Sequence, residues 1–450
     1  MAEQFLSTAA LTDAIADATF DRPPALVSNA HVTGLGVARA LDAHDVPVIA
    51  LDRAAGDGTG GDGGAVRHDG VAPPSAAVDF AGAVTYPLDD LGGFREDVEA
   101  VVDAVGTEAV AFGCMDEWAL AYARADPEGV RLPFAGIDTL DDVLNKSALY
   151  ATCEELGVPY PETYRLTETD GAETGTDWAT GTTEASTGKP AAAATLDEAA
   201  EAIGFPLVVK PELKREFEEA FGTNVIEVAD RAEFADVVAA AREAGIAVMA
   251  QKRVDIAAGR DHSLASYVPP SGVEDALAVV GNAAVRYPRE FGTSCLVRTS
   301  DEPAIEERAL AVLDDAGYHG ISEAEFVYDA DREEFLLLDV NTRPWKWIGM
   351  PVAAGANLPM AAYAAVTDAS YEPTETRPTR WASLRDYMAL LAGDDAVWDQ
   401  LSAADWRRLV SGEFEAEGDL TTAVYRPSDP APVAKLFETE FVDRDYYCAC

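Results

Sequence analysis

Residues 322–345, SEAEFVYDADREEFLLLDVNTRPW, hold the side chains best suited to chemistry. Two apolar runs flank a turn-forming DAD segment, the pattern of a β-hairpin. Glu325 falls on the first strand, Asp339 ends the second, and Asn341 and Arg343 follow at alternate positions. Alternation puts Asp339, Asn341 and Arg343 on one face of an extended segment. Two carboxylates and an amide oxygen suit a hard cation, Mg2+ or Mn2+, that takes oxygen ligands and keeps positions for phosphate. The arginine offers a planar fork of donors to a phosphoryl or carboxylate group. The plain alternative is a solvated acidic surface. Against it, Leu336, Leu337 and Leu338 run straight into Asp339, and a carboxylate closing a buried strand is costly unless paired or metal-bound. Without the cation, Glu325 and Asp339 are expected to repel each other.

Glu325 followed by LLLDVNTRP resembles the closing signature of the ATP-grasp superfamily, a Glu on one strand and E-x-N-x-R on the next. Asp339 stands where Glu is commoner, one methylene shorter but with the same ligand chemistry. Residues 141–163, DDVLNKSALYATCEELGVPYPET, resemble the segment leading into the ATP-grasp lid, with Lys146 as the lysine that opens its helix. Leu149, Cys153 and Leu156 recur at helical spacing, Gly157 suits a C-cap, and Pro159 stops continuation. Residues 204–211, GFPLVVKP, read as an apolar strand ending on Lys210, which needs an anionic partner; the resemblance supplies the phosphates of ATP. With only seven lysines in the chain, two at matching positions argue against chance.

Residues 247–254, AVMAQKRV, resemble the hinge strand that carries adenine. Gln251 replaces a commoner Glu yet still presents a carbonyl oxygen to an exocyclic amine. Lys252 and Val254 would contribute backbone groups. Lys214, Arg215, Phe221 and Gly222 resemble the mobile basic loop over the triphosphate, with Asn224 where a lysine is usual. Asp261, followed by His262, falls where relatives carry an acid near ribose or substrate. Arg286 and Arg289, in NAAVRYPREFGTSCLVR, are either ligands for a substrate carboxylate or phosphate, or surface arginines in an acidic shell.

The resemblance covers about residues 140–365 and implies an ATP-dependent ligase. It would activate a substrate carboxylate as an acyl phosphate for an amine or similar nucleophile, releasing ADP and phosphate. D-aspartate ligase-like enzymes and biotin carboxylase-related carboligases are the types implied. Catalysis would fall to Lys210 and Arg343; ATP contacts to Lys146, Lys210, Gln251, Lys252, Val254 and Asp261; and the metal to Glu325, Asp339 and Asn341. A carboxylase or phosphotransferase of this superfamily, or a nucleotide-binding regulatory protein without turnover, is the alternative.

The expected fold class is α/β and α+β. A Rossmann-like pre-ATP-grasp domain spans 1–140, the lid 141–250 with a solvated insertion at 167–195, the core 251–366, and a helical extension 367–450. Residues 25–52 read as strand, glycine loop, helix, strand. Gly34 and Gly36 offer only part of a dinucleotide fingerprint, since Arg39 takes the third glycine's place. Asp52 could mimic a ribose-binding acid. Asp116 and Glu117 resemble an acidic step in the N-terminal domains of such ligases; they face substrate or cap the helix beginning at Trp118. Trp381, Tyr387, Trp398 and Trp406 mark the extension as a packing appendage.

At 450 residues and 48% apolar content the chain suits two or three globular domains. A net charge of −47 argues against nucleic acid and anionic membranes, which need positive footprints. It fits a protein adapted to high salt, where screening relaxes self-repulsion. The partners expected are a small carboxylate and an amine, with a homodimer left open. Cys448 and Cys450 form the single close cysteine pair, and a tail pair of this kind more often does nothing. No secretory or spanning segment is evident, so a cytoplasmic location is expected.

Overall fold

The computed structural model of the chain describes residues 4–55, 64–169, 192–212, 217, 220–223, 225–289 and 292–440. Lys214, Arg215, Asn224, Cys448 and Cys450, most of 167–195 and most of the glycine-rich stretch 55–64 lie outside them.

The first sheet holds β1 (Ala25–Ser28), β2 (Val48–Asp52), β3 (Phe80–Ala83), β4 (Ala109–Gly113) and β5 (Val130–Arg131), in the order β3-β2-β1-β4-β5. All its pairings are parallel, as expected of strands that read as unbroken apolar runs and are covered on both faces. Strand order reverses between β1 and β4, which opens a crevice at their carboxyl ends. Asp52 closes the loop after β1: it accepts the backbone N–H of Ala30 at 3.0 Å and of Arg53 at 2.8 Å. It is therefore occupied in holding protein backbone, and the dinucleotide reading loses its ribose ligand. Gly113 lets β4 approach the helix Asp116–Ala125, because a Cβ there would lie 2.4 Å from the Ala119 nitrogen. Gly113→Ala is expected to destabilise the chain by about 1–3 kcal/mol. Denaturant unfolding measures this, and an unshifted midpoint would mean the strand and helix can part without cost.

The second sheet holds β6 (Thr163–Leu166), β7 (Ala193–Ala194), β8 (Leu207–Pro211), β9 (Ile226–Val228) and β10 (Val248–Lys252), ordered β7-β6-β10-β8-β9. Leu207, Val209, Val248 and Ala250 pack with Phe234 and Val238 into its own core. Met249 alternates to the opposite face and joins Leu149, Tyr150, Phe326 and Leu337. Lys210 is paired directly with Met249, and Gln251 with Val208, so Lys210 and Gln251 share that face.

The third sheet holds β11 (Ile256–Val268), β12 (Leu277–Tyr287), β13 (Thr293–Thr299), β14 (Gly320–Asp329), β15 (Glu334–Asn341), β16 (Arg380–Ala382) and β17 (Leu420–Thr422). The order is β15-β14-β11-β12-β13-β16-β17. The C-terminal extension is thus not purely helical. It contributes β16 and β17 as well as the helices Leu384–Leu391, Ala403–Ser411 and Ala431–Glu440. The open edge of β13 supplies the unpaired backbone groups that draw β16 into place, and three-residue strands are too short to signal themselves by alternation. No helix among the described residues is long and apolar enough to cross a membrane.

Candidate active site

The hairpin forms where the sequence places it. β14 and β15 pair antiparallel, with Glu325 opposite Asp339 and Glu323 opposite Asn341. The register slips between Glu325 and Phe326: Phe326 faces Leu337, and Leu338 is the extra residue of a β-bulge. This bulge decides the site. Leu337 is fully buried in the core with Phe326. In a regular strand Asp339 would share its face, but the inserted residue turns Asp339 to the opposite face, beside Glu325, Glu323 and Asn341. The carbonyl of Leu338 accepts the Tyr150 hydroxyl at 2.8 Å, which ties the bulge to the lid helix.

On that face Asn341 donates its amide to Glu323 at 3.2 Å and to Glu325 at 3.0 Å. Both carboxylates accept from the NH2 end, so the amide oxygen is the atom Asn341 would offer a cation. Glu323 also accepts the Trp347 indole N–H at 2.9 Å. Sequence reading missed Glu323, although its position two residues before Glu325 was the signal.

Three cations stand around the carboxylates. Lys146 lies at the start of the helix Lys146–Leu156, whose end Asn145 caps by accepting the N–H groups of Ser147 and Ala148. Its ammonium meets Asp339 Oδ1 at 3.1 Å, and its backbone N–H reaches the Glu212 carbonyl at 3.4 Å. Lys146 thus joins the end of β8, two residues beyond Lys210, to the hairpin. Arg286 sits 3.5 Å from Asp261 and 3.7 Å from Glu325. Burial works against its charge, yet the fields of Asp261, Glu325 and Glu323 outweigh that and raise its pKa. Asp261 is pushed up, chiefly by burial, with Arg286 pulling it back.

Arg343 is clasped by Asp116 of the first domain. Its Nε donates to Asp116 Oδ1 at 2.7 Å, Nη2 to Oδ2 at 3.3 Å, and Nη1 to the Pro344 carbonyl at 3.1 Å. Burial opposes this charge, but Asp116 more than offsets it and the pKa rises. The helix Asp116–Ala125 has no side-chain cap, so Asp116 does not cap it. Glu117 is buried and accepts the Tyr86 hydroxyl at 3.2 Å.

In the lid, Gln251 is buried and donates to Tyr150 at 3.0 Å and Thr163 at 2.9 Å. The Lys252 N–H is spent on the Glu162 carbonyl at 2.8 Å. Val254 is half-buried on the link from β10 to β11. Arg165, cross-strand from Met249, shares the Lys210 face and holds the buried Glu212 at 2.6 Å; neither was singled out from sequence. Arg289 does not join the set and pairs instead with Asp394 of the extension at 3.1 Å.

Among the described residues no group of three or more His, Cys, Asp or Glu is arranged to hold a metal ion. The set of Glu325, Asp339 and the Asn341 oxygen is all hard oxygen, and it fits an ion such as Mg2+ that completes its shell with water and phosphate.

No protein-family model matches the sequence, and no curated protein matches it. Solved structures do. Biotin carboxylase from Campylobacter jejuni, in its β-γ-ATP complex, superposes with a TM-score of 0.56 at 13% identity, covering 82% of this chain and 76% of its own. N5-carboxyaminoimidazole synthetase from Staphylococcus aureus, complexed with ADP, gives 0.56 at 13% identity over 85% and 88%. Carboxyaminoimidazole ribonucleotide synthase from Aspergillus clavatus, complexed with ATP, gives 0.53 at 15% identity over 80% and 81%. The chain has the ATP-grasp fold. In this fold the parallel first sheet and the helix Lys146–Leu156 meet the large, mostly antiparallel third sheet through Asp116–Arg343 and Lys146–Asp339.

Proposed function

We propose that this ATP-grasp protein is an ATP-dependent ligase that activates a substrate carboxylate as an acyl phosphate and passes the acyl group to an amine or similar nucleophile. The observation that carries the reading is the bulge at Leu338, which turns Asp339 out of the core and into one face with Glu325 and Asn341. A strand that only packed would not need it.

Glu325, Asp339 and Asn341 would hold Mg2+, whose positive charge would offset charge on the phosphate oxygens. Lys146 and Lys210 bind phosphate from the lid side. Gln251, with the backbone at Lys252 and Val254, orients the base. Arg286, already flanked by Asp261 and Glu325, is placed to orient a substrate carboxylate for attack. Arg343 keeps the donors that Asp116 and Pro344 leave for the transferring phosphoryl group. Lid closure excludes water, because an acyl phosphate hydrolyses readily.

The nucleotide product tests this. A screen of carboxylates with amines, followed by chromatography of the spent nucleotide, is expected to give ADP and inorganic phosphate in proportion to ligated product. AMP with pyrophosphate as the stoichiometric pair would replace the acyl phosphate with an adenylate and end the proposal.

A further inference from the structure

A cavity of about 120 Å3 lies away from these residues, where the first domain, the segment after β15 and the C-terminal extension meet. Val32, Gly36 and Arg39 line it from the helix Val32–Asp42, Lys346 from the segment after β15, and Trp381 and Arg426 from the extension. Three of its twelve lining residues are cationic and none is acidic, in a chain whose net charge is −47.

Their charges are unequally balanced. Lys346 is satisfied by Asp386 at 2.7 Å and Thr293 at 2.8 Å. Arg39 is 7% exposed, and gives Nε and Nη2 to Asp429 at 3.1 and 2.8 Å and Nη2 to the Val424 carbonyl at 3.0 Å. Its Nη1 is buried with no hydrogen-bond partner among the described residues. Asp429 is saturated in turn by Ser75 at 2.6 Å and the Ala76 N–H at 3.0 Å. Arg426 makes no ion pair and no side-chain hydrogen bond among the described residues. Burial, and then the like charge of Arg39, push its pKa down to about 10. Glu415, the other carboxylate whose field reaches both arginines, is exposed and bonded to Ser428. Arg426 is half-buried, so the costly group is the Arg39 Nη1, which is buried and unsatisfied.

We infer that this cavity is a binding site for a small oxyanion, a carboxylate or phosphate group, received by Arg426 with Arg39 behind it. The space is small and suits one such group on a short tail. Arginine favours such groups because its planar fork matches two of their oxygens. Lys346 stands three residues beyond Arg343, so an occupant would rest on the segment that also positions Arg343. The inference does not depend on the proposed ligase activity.

Calorimetric titration of the full chain without nucleotide tests it, with inorganic phosphate in one arm and succinate in the other at matched ionic strength. Saturable binding of at least one probe is expected, and the better probe tells phosphate from carboxylate. Arg426→Gln should weaken it about tenfold or more, Arg426→Lys should recover part, and the Arg426-dependent binding should persist in Lys210→Ala. Circular dichroism of each variant checks folding. No saturable binding of either probe to the wild type, or equal binding by a folded Arg426→Gln, would overturn the site. Loss of binding in Lys210→Ala would do the same, because the anion would then belong to the nucleotide cleft.

Discussion

Asp339→Asn and Glu325→Gln are each expected to lower Mg2+-dependent ATP turnover by about a thousandfold or more, since charge stabilisation by a metal is worth several kcal/mol. Both substitutions keep size and one acceptor oxygen while removing the negative charge that a hard cation requires. The amide forms matter because the carboxylates are not idle. Asp339 accepts Lys146, and Glu325 accepts Asn341 with Arg286 nearby. Each acid has a cation beside it, which offsets part of the repulsion expected between them without metal. Alanine at 339 would strand a buried ammonium, at a cost of about 3–5 kcal/mol, and would confuse unfolding with lost catalysis. Thermal melts with and without Mg·ATP separate the two. The wild type should gain a nucleotide-dependent rise in midpoint that the amide variants lose. An undiminished rise in both would remove these residues from the metal set.

How far the sequence speaks depends on the physical range of each signal. The hairpin, the helix opened by Lys146 and the apolar strand ending on Lys210 are local patterns, written in periodicity and turn chemistry, and they form where expected. The bulge at Leu338 was hidden because LLLD reads the same whether or not a residue is inserted; only the partner strand reveals the slip. Asp116 was read as a cap or a substrate contact because its true partner, Arg343, is 227 residues away. Arg286 and Arg289 look equivalent in YPRE-type context, yet β12 carries Arg286 to Asp261 while Arg289 falls on the loop beyond and meets the extension. Glu323 was legible and overlooked. Alternation from Glu325 points to it, and the Asn341 amide holds both.

Lys210 and Arg343 should fail in different ways. Lys210, on the same face of the second sheet as Met249 and Gln251, is expected to hold ATP phosphates in the ground and transition states alike. Losing a charge-assisted contact of about 1.5–3 kcal/mol should weaken ATP binding about ten- to more than a hundredfold. Arg343 starts from another position. Asp116 takes its Nε and one Nη2 donor, and Pro344 takes one from Nη1, so two of the five guanidinium N–H groups remain for a ligand. The Asp116 clasp fixes the plane of the fork and thereby aims those two. A group so aimed acts most where charge develops, and its removal should lower turnover while changing ATP affinity much less. Arg343→Lys keeps the charge next to Asp116 but cannot span both its oxygens and a phosphoryl group, so turnover should stay low. Arg343→Ala strands a half-buried Asp116 and needs a folding check before its kinetics are read. Nucleotide titration and turnover of Lys210→Ala, Arg343→Lys and Arg343→Ala decide the matter. If folded Arg343 variants lose ATP binding and nothing further in turnover, Arg343 is a ground-state ligand, and its pairing with Asp116 serves only to fasten the first domain to the large sheet.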